Sequence, residues 1–444
     1  MSAPTDPVCV PWDRLTSRRA LAALLALVAA GALALRPHDG VEELEGRVPT
    51  DIELRPSVEA AFPRESYAPR TTARLVVYNR ARGLTLQLFR LGGEHLGTAD
   101  NNTMRGIAVT EPRGVGSSSG TRTIRVGIGD WPSGVFFARL RAADGRVGFA
   151  PFVVRPRHLG EQRVAIVMPT LTWQAYNLSD EDGDGVGDSW YASWSHRTVR
   201  LGRPFLNRGV PYAFRRYDLP FIRWLGRTGR EVDVLAQSDL EASSPAALDR
   251  AYDLIVFPGH HEYVTTREYD VVEGYRDRGG NLAFLSANNF FWQVVRRGEL
   301  IERTRQWRRL GRPEAALIGV QYRANAGPLL ARGAFVLRDV PSASWLFAGT
   351  GLAPGSRFGR DWGIEIDHTS ASSPPGVQVI AEIPDLFGPG LTAQMTYYET
   401  RAGARVFAAG AFTLAGWIGD PVIARVAANL WRRLTQGDAI RQGP

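Results

Sequence analysis

"YDLIVFPGHHEYVTTREYDVVEGYRDRGGNLAFLS", residues 252–286, carries the fold reading. Leu254 to Phe257 form a short continuous apolar run, the pattern of a strand buried on both faces. Thr265 and Glu268 stand at capping-box spacing, and Gly279-Gly280 supply a stop, so a helix is expected between them. "NLAFLS" then reads as a second buried strand. Upstream, "VAIVMPT" (164–170) and "EVDVLA" (231–236) are further strands, and "DLPFIRWLGRTG" (218–229) is a helix with Gly229 as its stop. Downstream come "VQVIAEI", "TAQMTYYET", "ARVFAAGAF" and a last amphipathic helix, "VIARVAANLWRRL". This alternation predicts an α/β domain over residues 160–436, built on an open, mostly parallel sheet.

In such a sheet, ligands bind beyond the carboxyl ends of the strands, because the loops leaving those ends line one crevice. Those loops are polar here. They carry Tyr176 and Asn177, then His260, His261, Glu262 and Tyr263, then Ser286, Asn288 and Asn289, with Tyr217 at the entry of the helix before "EVDVLA". His260 and Glu262 are two residues apart, so in extended chain both face one way and can share a metal or a water. The bland reading of the same residues is a polar turn before a capped helix.

Residues 67–156 carry β signals throughout. "TTARLVVYN", "LTLQLFRL" and "TIRVGI" are strand-like, and Asp144-Gly145 between two apolar runs marks a hairpin. An immunoglobulin-like sandwich is expected, joined by a proline-bearing linker at 36–66 and followed at the far end by a short tail, 437–444. "GSSSG" (116–120) satisfies the G-x-S-x-G pattern around Ser118, but no strand-turn-helix surrounds it, so it reads as a loop. At the start, Arg14, Arg18 and Arg19 precede the apolar run Ala20 to Leu35, which is shorter than the ~20 residues of a spanning helix. Residues 1–35 therefore read as an export signal or N-terminal anchor. Ser17-Arg18-Arg19 resembles a twin-arginine signal, and the expected location is extracytoplasmic. Any membrane contact would run through this segment if it stays uncleaved.

The chain has 444 residues, 44% of them hydrophobic, and a formal charge of +8. It contains no lysine, so its basic charge is arginine dispersed among acids rather than a concentrated patch, and no nucleic-acid partner is expected. Lysine Schiff bases and P-loops are excluded with it. Cys9 is the single cysteine and precedes the apolar segment, which excludes internal disulfides and a thiol nucleophile in the globular part.

"TWQAYN", "RRYDLPFIRWL", His260-x-Glu262-Tyr263 and "LSANNFFW" occur in the order of successive motifs of the N,N-dimethylformamidase large (beta) subunit family, which the chain resembles over roughly residues 160 to 436. "TYYETRAGARVFAAGAF" is similar to that family's C-terminal portion. The resemblance implies a glutamine-amidotransferase-like α/β fold and a mononuclear, ferric iron held by two tyrosines and a glutamate, here Tyr176, Tyr217 and Glu262. It further implies His260 as acid/base, Asn288 as a group orienting substrate or water, Glu399 as a further pocket candidate, and a small amide as substrate. Phenolate and carboxylate are hard oxygen donors of the kind ferric iron takes. The chain departs from the family in its export signal, its own β domain and its vacant lysine positions.

The loop after Tyr176, "SDEDGDGVGD", sets Asp180, Asp182 and Asp184 before Gly185, with Asp188 at the ninth position, as in the first half of a calcium loop. Tyr191 stands at the twelfth position in place of a bidentate glutamate, so the loop reads either as a Ca2+ site or as a solvated acidic turn. The leading expectation is an exported iron-dependent amidohydrolase, with a homo-oligomer allowed. Its rival is a cell-surface protein that binds carbohydrate or peptide, for which "SWYASWSH" (189–196) would offer stacking surfaces.

Overall fold

The computed structural model describes residues 57–92, 102–183, 187–192, 196–325, 333–359 and 363–435. The export segment 1–35, residues 36–56 of the linker, Asp184 and the tail 437–444 lie outside the described residues.

The centre is a nine-stranded sheet. Its strands in chain order are β1 (Val164–Met168), β2 (Asp233–Ala236), β3 (Leu254–Phe257), β4 (Asn281–Phe284), β5 (Phe335–Leu337), β6 (Arg357–Phe358), β7 (Gln378–Ile383), β8 (Ala393–Glu399) and β9 (Arg405–Ala408). They lie side by side as β2-β1-β3-β4-β9-β8-β7-β5-β6. The pairs from β2 to β9 are parallel. Those from β9 to β6 are antiparallel. The sheet is therefore mixed, and smaller sheets of mixed and antiparallel strands surround it. This corrects the expectation of an open, mostly parallel sheet of the amidotransferase kind. The cause lies in loop length: residues 384–392 join β7 to β8 and residues 400–404 join β8 to β9. A parallel return needs a crossover of a dozen or more residues, so these strands turn straight back.

Local readings translate directly into packing. Along β1, Val164, Ile166 and Met168 enter one hydrophobic core while Ala165 and Val167 enter another, which accounts for the unbroken apolar run. The helix α4 (Thr266–Asp277) starts on Thr265, whose hydroxyl accepts the Glu268 N–H at 3.2 Å. Glu268 itself turns inward to the Gln237 amide, 2.9 Å, rather than back to the cap. Tyr263–Thr265, read as part of a turn, is a strand paired in parallel with Trp292–Arg297.

The β region forms two sheets, of three and six strands, around one core that includes Leu75, Val126, Phe136, Leu140 and Phe152. It is not an isolated sandwich. Along Gly134–Arg141, Phe136 and Ala138 face that core, whereas Val135 and Phe137 join the core of β1 and of helix α3 (Leu219–Arg227). Strand pairing also begins at Ala60–Ala61, inside the stretch read as linker. Ser118 ends the strand Arg113–Ser118 and another strand follows at Arg122, so no helix leaves the G-x-S-x-G string.

One glycine marks how closely the layers meet. Gly209 has φ +88, and a Cβ there would lie 1.7 Å from the Phe149 carbonyl oxygen, while the Phe149 N–H donates to Arg208 O at 2.8 Å. Gly209→Ala is expected to destabilise the protein by about 2 kcal/mol through left-handed strain and overpacking, read as a lower urea midpoint at unchanged slope.

Candidate functional site

Tyr176 is placed by the strand that precedes it. β1 passes through Pro169 into the short helix α1 (Thr170–Ala175), and Tyr176 is its C-cap residue, with its N–H on Thr172 O at 3.0 Å. Its hydroxyl donates to Glu262 Oε2 at 2.8 Å and lies 3.3 Å from His260 Nε2. The Tyr191 ring stacks on one side, 4.3 Å between centroids, and the Tyr212 ring also stacks on it, at 5.6 Å. Tyr191 donates to the same Glu262 oxygen at 3.1 Å.

Behind Tyr176, Arg203 is fully buried. Its guanidinium donates to five backbone carbonyls: Arg200 O (3.0 Å), Ser179 O (3.3 Å), Asp188 O (2.7 Å), Gln174 O and Asn177 O (both 3.0 Å). The segment around the acidic loop is thus held by an arginine. Asp180 Oδ1 accepts Gly183 N–H at 2.8 Å and Asp188 Oδ2 accepts Glu181 N–H at 2.7 Å, so both carboxylates brace the loop backbone.

β3 delivers the histidines. His260 Nε2 stands 3.2 Å from Glu262 Oε2 and 3.5 Å from Glu365 Oε2, with Nδ1 3.3 Å from Ala287 O. His261 is turned away between Val167 O (3.0 Å) and Gly259 O (3.2 Å), and burial pulls its pKa down to about 3. Burial opposes a charged His260, yet the Glu365 charge and the Glu262 hydrogen bond and charge outweigh it and raise its pKa above the ordinary value.

β4 runs into Asn288, which has φ +55. Its side-chain amide donates to Glu365 Oε1 at 3.2 Å and its N–H to Asp367 Oδ1 at 2.9 Å. Glu365 and Asp367 come from the strand Glu365–His368, which the sequence reading did not single out. Burial pushes Glu365 up to about 8, reinforced by Glu262 and Asp367 and opposed by His260. Asp367 and Asp218 are both raised to about 7, again chiefly by burial. The signal was present in "EID": acids two apart on a strand share a face, the argument already applied to His260 and Glu262.

Tyr217 ends the short helix α2 (Phe214–Tyr217). Its ring packs edge-on against Phe412 at 4.6 Å, and Phe412 packs against His260 at 4.7 Å. Tyr176, Tyr217, His260 and Glu365 line one pocket of about 90 Å³ together with Trp173, Tyr212, Asp218, Ile364 and Phe412. Burial holds the Tyr176 and Tyr217 phenols well above their ordinary pKa, and for Tyr176 the Glu262 charge adds to it. Glu399 lies elsewhere, bonded to Tyr397 and paired with Arg433 at 3.2 Å.

Fold and site define a protein built on a mixed central sheet, with an acidic, tyrosine-rich pocket beyond the carboxyl ends of the strands in its parallel half. A family model described as "N,N-dimethylformamidase beta subunit-like, C-terminal" matches residues 120–421, and the chain belongs to that family. The match begins inside the β region, well before residue 160. The N,N-dimethylformamidase beta subunit of Paracoccus aminophilus is 34% identical over 122 residues, which are 27% of this chain and 16% of that subunit. The chain thus spans under a fifth of the length of that relative. Among solved structures, an uncharacterised protein from Bacillus anthracis str. Ames matches with a TM-score of 0.17 at 9% identity, covering 21% of this chain and 78% of that one. A cycloisomaltooligosaccharide glucanotransferase from Paenibacillus sp. matches with a TM-score of 0.18 at 7% identity, over 51% and 44%. Both likenesses are too slight to bear on fold or function.

Proposed function

We propose that the protein is an exported, iron-dependent amidohydrolase that cleaves the C–N bond of a small amide. One observation carries this reading: the Tyr176 hydroxyl, the Glu262 carboxylate and the His260 imidazole lie within 3.3 Å of one another, beside a pocket that Tyr217 also lines. Among the described residues no three His, Cys, Asp or Glu side chains converge as a metal site, so a metal here takes tyrosine oxygens as well.

The donor chemistry fits. Glu365 Oε2 and Asn288 Oδ1 are buried without a hydrogen-bond partner, acceptors that a cation or its bound water would engage. The two phenols stay protonated unless positive charge enters the pocket, and a cation supplies it. Iron held by Tyr176, Tyr217 and Glu262 would supply a Lewis acid that polarises the amide carbonyl and acidifies a water. His260 then accepts the proton of the attacking water at Nε2 and returns it to the leaving nitrogen, so that amide and water become acid and amine. Asn288 orients Glu365 beside that imidazole. Export rests on the apolar segment that follows Arg18 and Arg19.

Metal analysis and a visible spectrum test the proposal. Purified protein is expected to hold about one iron per chain, with a tyrosinate-to-iron band that Tyr176→Phe removes. Protein that stays colourless and iron-free after reconstitution, and that hydrolyses nothing in a library of small amides, would refute it.

A further inference from the structure

We infer that Tyr212 sets the largest substituent the pocket admits and is the specificity-determining residue of this site, an inference that rests on the amide reading above. Trp173, Tyr217, His260 and Phe412 are buried walls, whereas Tyr212 is 41% exposed while lining the same pocket. It therefore stands at the mouth.

Its ring lies nearly flat on Tyr176, with 8° between the planes, and so covers the phenol whose hydroxyl meets Glu262 and His260. The backbone holds it there. Ala213 has φ +53, a left-handed conformation that residues with a Cβ enter rarely. The Ala213 carbonyl accepts the N–H groups of Arg216 (2.8 Å) and Tyr217 (3.0 Å), so moving Tyr212 aside would disturb the start of α2.

The space behind the ring is small. About 90 Å³ takes on the order of six waters at ~15 Å³ each, room for a small molecule of several heavy atoms. Long alkyl substituents would meet the Tyr212 ring. The substrate class is thus an amide with short substituents.

Binding separates this inference from the reading beneath it. Trp173 lines the pocket, so the part of the tryptophan fluorescence change that Trp173→Phe removes reports occupancy in the full chain, with or without iron. The probes are N-methyl-, N-propyl- and N-pentylformamide. In the unaltered protein Kd should rise roughly tenfold or more from methyl to pentyl. Tyr212→Phe should keep that order, and Tyr212→Ala should bring the three neutral Kd values to within roughly twofold of one another. Iron per chain should match the unaltered protein in both variants, and Tyr212→Leu replaces the alanine variant if that one does not fold. A size order retained after loss of the ring overturns the role of Tyr212 and leaves the amide reading standing. If the unaltered protein binds none of the neutral amides, the amide reading falls and the inference with it.

Discussion

Arg203→Met is expected to lower the stability of the protein by about 3–5 kcal/mol, the cost of leaving several buried carbonyls without a donor at about 1–3 kcal/mol each. The guanidinium has no exposed surface and donates to five main-chain carbonyls on both sides of Tyr176 and the acidic loop. Methionine fills much the same volume and offers no donor. The carbonyls of Gln174 and Asn177 then lose these bonds next to the residue that carries the Tyr176 phenol. Burial pulls the Arg203 pKa down to about 10, so the side chain remains a cation at neutral pH. Two controls separate the carbonyl cradle from the nearby ion pair. Glu181 is 3.9 Å away and partly exposed, so Glu181→Gln should cost under about 1 kcal/mol. Arg203→Lys should recover only part of the loss, because an ammonium offers three donors from one point where the guanidinium offers a planar fork. Urea unfolding measures all three. A methionine variant within about 1 kcal/mol of the unaltered protein would show that the cradle is dispensable.

The residues that were legible in the sequence are those whose placement depends on near neighbours. The unbroken apolar runs of β1, β3 and β4 predicted strands buried on both faces, and they are so because cores lie on each side. The spacing of two predicted that His260 and Glu262 share a side and His261 does not, and the backbone at the end of β3 is extended enough for that to hold. What depended on pairing across long separations was not legible. "VQVIAEI" and "TAQMTYYET" have the composition of buried strands in either direction, and only their short connections betray the antiparallel half of the sheet. Arg203 looked like one more surface arginine among 53 basic residues, since nothing local marks a side chain whose partners are carbonyls up to 29 positions away. Tyr191 drew notice for not being a glutamate, yet it lies against Glu262 because the loop folds back over Tyr176. Glu365 arrives from 103 residues beyond Glu262, and its alternation with Asp367 was the one local clue.

His260→Asn is expected to lower kcat by roughly 10²- to 10⁴-fold, the range for loss of a positioned acid or base. The ring is oriented for that work at both nitrogens. Nδ1 faces the Ala287 carbonyl at 3.3 Å, which favours the proton there and leaves the Nε2 lone pair directed at the Tyr176 hydroxyl. Once Nε2 takes up a proton, it finds Glu262 at 3.2 Å, a carboxylate that stabilises the imidazolium until the proton passes on, with Glu365 beside it at 3.5 Å. Asparagine reaches less far and cannot accept a proton at neutral pH. On the proposed iron reading, Glu262 and Tyr176 stay in place, so any iron content and visible band should survive the substitution, which separates a lost proton carrier from a collapsed site. Added imidazole, small enough for the space the ring leaves, should restore part of the rate and leave KM nearly unchanged. A variant that turns over within tenfold of the unaltered protein would remove His260 from the chemistry and pass the proton-carrying role to Glu365, the ionisable group 3.5 Å from the imidazole.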